Sequence, residues 1–173
     1  CRQIVMEEGT SLGSAEPIMI TPSGEVKESG EKTRSFVRTS FRGVAERNGY
    51  PPSLAEAMVD KDIGVVRVPE NGGWAYLTNA EHEERIAGLT DDIIGRTVRR
   101  DGGLEWSSPA SGAIEEACYA RVKDRFVVNM PERDLRELVA DVCRVALGGE
   151  VVIPPGRLLN FTAQEMVKHG MAR

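Results

Sequence analysis

Short apolar runs broken by glycine and serine fill the first twenty positions, and longer stretches with helical spacing follow. The chain opens without an initiator Met and reads as the interior of a domain. Ile4-Val5-Met6 predicts a buried strand, Gly9 to Ser14 a small-residue turn, and Ile18-Met19-Ile20 after Pro17 a second strand. Thr21 to Glu25 reads as a turn, and Lys27 to Lys32 as a polar connection.

A helix is predicted from Glu31 to Asn48, with Val37, Phe41 and Val44 at i, i+4 and i+7 and Phe36 widening the apolar face. Arg34, Arg38 and Arg42 repeat at i, i+4 and i+8 on another side, which reads first as a solvated stripe. Gly49 suits the helix end because glycine takes the left-handed conformation readily. Pro51-Pro52-Ser53 starts a shorter helix through Val59, and Gly64 to Val68 with Trp74 to Thr78 predicts a hairpin turning at Pro69 to Gly73.

Asn79 can cap a charged helix over Glu81 to Ile86, and Gly102-Gly103 breaks the chain before Trp106. Helical spacing returns over Gly112 to Lys123, an apolar run follows at Phe126-Val127-Val128, and a strong helix runs from Pro131 to Leu147. Its expected stripe is Leu135, Leu138, Val142 and Val145, with proline in its first turn and Gly148-Gly149 at its end. Val151-Val152-Ile153 is a closing strand; Thr162 and Glu165 form a capping box for a last helix that Gly170 ends. The alternation of strands and helices gives an α/β fold class.

The 173 residues suit one domain, and 40% hydrophobic with 28% charged residues is ordinary for a globular chain. A net charge of -5 argues against a general nucleic-acid surface. No window approaches the roughly 18 apolar residues that a membrane helix needs. Cys1, Cys118 and Cys143 have no zinc-type spacing, and the last two sit in apolar helical patterns as buried thiols. The adjacent acids Glu7-Glu8, Glu83-Glu84, Asp91-Asp92 and Glu115-Glu116 diverge in direction on a helix or strand, so no metal site is inferred, and the Gly9 to Ser14 loop carries neither Gly-Lys-Ser/Thr nor GxGxxG, so no cofactor is expected.

Three ordered blocks carry a resemblance. The first is Ile4, Val5, Met6, Gly9, Thr10, Leu12, Gly13, Ser14 and Pro17, with Glu8 where a proline is usual. The second is residues 45–63, centred on Ala55-Glu56-Ala57-Met58-Val59-Asp60-Lys61-Asp62. The third is residues 156–172, with Leu158-Leu159, Phe161-Thr162-Ala163 and Glu165. Together they resemble the ClpP/crotonase superfamily, closest to the membrane-associated ClpP-class serine proteases of the NfeD type and to signal peptide peptidase A. The resemblance implies a partial ClpP/crotonase-like domain of repeated β-β-α units over residues 1–173, with 79–150 as an insertion. It also implies a peptide or protein substrate, homo-oligomer assembly, and a membrane-associated parent protein whose spans lie outside this segment.

In that family a serine on a helix N-terminus attacks the peptide carbonyl. The resemblance places it upstream of Ile4, so the nucleophile-bearing segment is expected before Cys1. The family's histidine base corresponds to Ala15, which cannot accept a proton, and His82 and His169 fall where structural roles are expected. The lysine base of the Ser-Lys design corresponds to Arg42, whose guanidinium keeps its proton. Arg42 is then either part of the solvated stripe or a fixed charge that binds a carboxylate or phosphate. Gly9, Thr10, Ser11 and Gly13 form a loop near the cleft and are candidate substrate-binding residues; Ser11 and Ser14 lack a nearby base as nucleophiles. Two other classes remain open: a catalytically silent ClpP-like scaffold, favoured by Ala15 and Arg42, and a crotonase-type acyl-CoA enzyme.

Overall fold

The computed structural model describes residues 3–100, 103–108, 110, 112–123 and 130–172. The order of elements is β1 (Ser11–Gly13), β2 (Ile18–Ile20), β3 (Val26–Glu28), α1 (Glu31–Asn48), α2 (Pro52–Val59), β4 (Val65–Glu70), β5 (Gly73–Thr78), α3 (Asn79–Arg96), β6 (Thr97–Arg100), β7 (Gly103–Trp106), α4 (Ala113–Val122), α5 (Glu132–Leu147), β8 (Glu150–Ile153), β9 (Asn160–Thr162) and α6 (Ala163–Lys168). The protein is thus mixed α/β with small sheets: β1-β9, β2-β3, β6-β7 and a three-stranded sheet in the order β5-β4-β8. The chain divides into two compact units.

The first unit comprises Cys1–Arg67, Ala75–Asn79 and Val151–Arg173. Its core joins Leu54, Ala57 and Met58 of α2 to Val65, Leu159, Phe161 and Met166, with Ile4, Met6 and Tyr50 packed at the margin. Helix α2 is mostly apolar and buried along nearly its whole length, so its polar Ser53 also lies inside, donating from its hydroxyl to the Tyr76 carbonyl at 2.9 Å. α6 begins with the expected capping box: the Thr162 hydroxyl accepts from the Glu165 N–H, and the Glu165 carboxylate accepts from the Thr162 N–H at 2.8 Å. Tyr76 Oη lies 2.9 Å from His169 Nδ1, and the His169 ring stacks on Phe161 with centroids 4.8 Å apart.

The second unit comprises Val68–Trp74 and Ala80–Glu150, and so holds most of the segment 79–150. Ile86 and Ile93 of α3, Cys118 and Val122 of α4, and Leu135, Val139, Val142, Cys143 and Leu147 of α5 are buried in it. The β6-β7 hairpin pairs Thr97 with Trp106 and Arg100 with Gly103, and Trp106 packs on Tyr119 with ring centroids 4.2 Å apart.

Several expectations are corrected. Ile4-Val5-Met6 is not a strand, because it pairs with no described strand. The loop from Gly9 to Ser14 instead contains β1, and Lys27 lies in β3, antiparallel to β2, with Ile18 opposite Glu28 and Ile20 opposite Val26. The α3 helix runs on ten residues past Ile86 to Arg96. Gly103 opens the second strand of a hairpin. The buried stripe of α5 is rotated toward Val139, Cys143 and Leu147, leaving Val145 70% exposed. The apolar run Phe126-Val127-Val128 lies outside the described residues.

Candidate functional site

The segments bearing the three sequence blocks meet within the first unit. β1 runs antiparallel to β9, with Ser11 opposite Thr162, Leu12 opposite Phe161 and Gly13 opposite Asn160. Beyond the strand ends the Ser14 N–H donates to Leu159 O at 2.9 Å, and the Ala163 N–H to Thr10 O at 3.0 Å. α2 ties both strands down at its C-terminal end, where Met58 O accepts from the Ala15 N–H at 2.6 Å and Ala57 O from the Leu159 N–H at 2.8 Å.

Hydrogen-bonded partners alternate along an antiparallel pair. With Thr10 and Ser14 bonded across, Leu12 is the residue facing β9, and Ser11 and Gly13 turn their N–H and C=O groups to the other edge of β1. The sheet ends there. Gly13 has φ 143°, and a Cβ on it would stand 2.1 Å from Leu159 O, so only glycine allows the two chains to approach this closely. Gly9, at φ 85°, makes the turn that brings the Thr10 hydroxyl onto Glu7 O at 2.7 Å. Gly9, Thr10 and Ser11 are exposed.

The same unit holds an open cleft of about 260 Å³ whose wall is almost wholly apolar. Leu12 lines it from β1, Phe41 and Val44 from α1, Met58 from α2, and Ile4 and Tyr50 from the adjoining loops. Its size suits one large apolar side chain. The sequence pattern pointed to Phe41 and Val44 as a core stripe; they face this cleft because Ala45 is the buried contact of α1.

The arginine stripe is not solvated as expected. Arg34, Arg38 and Arg42 meet the acids of α2 and its C-terminus as a ladder of ion pairs. Arg38 Nη1 lies 2.6 Å from Asp60 Oδ2 and Arg34 Nη1 3.7 Å from Asp60 Oδ1, with the Asp60 side chain only 3% exposed. Arg34 also reaches Asp62 at 3.3 Å. Arg42 Nη1 donates to both oxygens of Glu56, at 3.3 and 3.4 Å, and its Nε to Glu46 at 3.1 Å. Glu56 and Asp60 are themselves four apart, matching the arginine spacing, and that match was visible in the sequence.

The ladder extends to Lys61, whose ammonium donates to Glu28; that bond and the attraction it carries hold the Glu28 carboxyl below the usual glutamate range and raise Lys61. Arg42 can fix a carboxylate in place, but its guanidinium keeps its proton at ordinary pH and cannot act as a base. Of the two histidines, His169 bonds to Tyr76, whereas His82 is buried in the second unit with no partner for Nε2. Among the described residues no cluster of three or more His, Cys, Asp or Glu could hold a metal ion, and no helix is long and apolar enough to cross a membrane. Comparison with family models, curated proteins and solved structures finds no match to this chain.

Proposed function

We propose that this chain is the C-terminal part of a ClpP-class serine-protease-like domain of the NfeD or signal peptide peptidase A type, acting on peptide bonds within a membrane-associated, homo-oligomeric parent protein. One observation carries the reading. The blocks that resemble the family, the first and last of them about 140 residues apart in sequence, are bonded together as β1 on β9 with both secured to α2.

The chemistry of that place suits an extended peptide. The open edge of β1 offers Ser11 and Gly13 backbone groups to a substrate strand, and the cleft that Leu12 lines takes an apolar side chain. In this reading Gly9, Thr10, Ser11 and Gly13 bind substrate backbone, and the attacking serine belongs to sequence preceding Cys1. Arg42 stands at the base position, and its bonds to Glu56 and Glu46 support a second reading, a catalytically silent scaffold that keeps the fold and its subunit contacts.

Hydrolysis of leucine- and phenylalanine-rich peptides by the full-length protein, including the residues that precede Cys1, separates the two. The protease reading predicts turnover that falls at least tenfold in Leu12→Glu, which places a charge in the cleft. Absence of turnover in a folded, assembled protein favours the scaffold.

A further inference from the structure

The β2-β3 hairpin stands alone. Among the described residues no third strand pairs with it, and every residue of both strands is exposed. Ile18, Met19, Ile20 and Val26 are each more than half exposed, although a sheet of two short strands has little stability of its own in water. Backbone alternation fixes which of its groups are open. The Thr21 N–H donates to Glu25 O at 2.9 Å and the Ser29 N–H to Pro17 O at 3.3 Å, so Met19 and Lys27 bond each other while Ile18, Ile20, Val26 and Glu28 turn their N–H and C=O groups outward. Opposite residues share a face, which sets Ile18, Ile20 and Val26 with Glu28 on one side and Met19 with Glu25 and Lys27 on the other. We propose that β3 pairs antiparallel with β3 of a second copy of this chain, Val26 opposite Val26.

Charge selects both the partner and the register. With Val26 on a two-fold axis, Lys27 of each copy stands opposite Glu25 of the other, so the exposed Lys27–Glu25 pair within one strand, at 3.4 Å, gains two cross-strand counterparts. On the other face the row Ile20–Val26 continues into Val26 and Ile20 of the second copy, four β-branched side chains abreast. Glu28 falls opposite Gly24, where an added Cβ would meet nothing within 4 Å, and so it keeps its bond to Lys61. Moving the axis to Lys27 sets lysine against lysine and Val26 against Glu28, and moving it to Glu28 requires Ser29, which is buried. The β2 edge has no charge to fix a register, and Pro17 at its start has no N–H to donate. The polar tip, where Glu25 N–H bonds the Thr21 hydroxyl at 3.0 Å, leaves the edge and not the turn as the docking surface. The pairing rests on the homo-oligomeric part of the proposed function and is independent of its peptidase chemistry.

Sedimentation velocity of the full-length protein over a range of concentrations tests it, with circular dichroism as the check on folding. Lys27→Glu sets like charges opposite each other and is expected to weaken association on the order of tenfold, while the double swap Glu25→Lys with Lys27→Glu restores it. In a Cys1→Ser background, Val26→Cys is expected to oxidise to a covalent dimer, because a hydrogen-bonded antiparallel pair holds its Cα atoms about 5.5 Å apart, within the span of a disulfide. Unchanged association in a folded Lys27→Glu protein, a double swap that does not restore it, or a Val26→Cys protein that forms no cross-link overturns the proposal and leaves the hairpin to a partner of other sequence. A wild-type monomer overturns it together with the homo-oligomeric part of the proposed function, whereas peptide hydrolysis reports on the chemistry separately.

Discussion

Arg42 Nη1 bonds both carboxylate oxygens of Glu56 while its Nε holds Glu46, so the side chain that the proposed function sets at the base position is committed to an ion pair between α1 and α2. The Glu56 side chain is 10% exposed and Arg42 42%, which makes the pair half-screened by solvent. Arg42→Ala is expected to lower stability by about 1–2 kcal/mol, chiefly through the stranded Glu56, and Arg42→Lys by less than about 1 kcal/mol. Urea unfolding of the two variants checks this. Equal losses would show that the two-point geometry contributes nothing beyond charge.

Asp60 tells a different story because its carboxylate is almost fully enclosed between Arg38 and Arg34 while it also accepts from the Asp62 N–H at 3.0 Å. Asp60→Ala leaves two cations without that anion and removes the Asp62 anchor. A loss of about 3 kcal/mol is expected, little changed between low and high salt, whereas the exposed Arg133–Glu137 pair contributes little at either. Denaturant midpoints at two ionic strengths measure both.

Gly13→Ala tests the β1–β9 approach. The added methyl would collide with the Leu159 carbonyl and hold a non-glycine residue at φ 143°. The expected cost exceeds about 3 kcal/mol. Gly24→Ala meets no neighbour within 4 Å, and its cost is limited to the backbone strain of φ 86°. Thermal melts of the two variants should rank in that order.

The capping box at Thr162 gives a pH signature. Hydrogen bonds from the Thr162 N–H and then its hydroxyl hold the Glu165 carboxyl below the ordinary glutamate range. A depressed folded-state value means that this stability is fully present above the unfolded value of about 4.3 and is lost as pH falls through the lower folded value. Thr162→Ala should therefore cost about 1 kcal/mol at pH 7 and less at pH 3, read from urea midpoints at the two pH values.

Local signals made much of this legible. The α1 span, from Glu31 to Asn48 with Gly49 in the left-handed conformation, and the Thr162–Glu165 box follow from propensity and capping chemistry that a few neighbouring residues determine. What escaped depended on distant partners. Ser11–Gly13 reads as a turn until Phe161 supplies the opposing strand, and Ile4–Met6 reads as a strand although no described strand lies beside it. The arginine stripe looked solvated because its partners, Glu56 of α2 and Asp60 just past its end, lie outside α1. Val139 and Cys143 displace Val145 from the buried face of α5 because the helix faces its neighbours, a direction that periodicity alone leaves free by a fraction of a turn.

Fluorophosphonate labelling of the full-length protein, with the labelled peptide located by mass spectrometry, tests the central claim most directly. The proposed function predicts one labelled serine in the sequence preceding Cys1, with labelling blocked by an apolar peptide that fills the Leu12–Phe41 cleft. A folded, assembled protein that takes no label, or takes it on a serine outside that segment, would contradict the account.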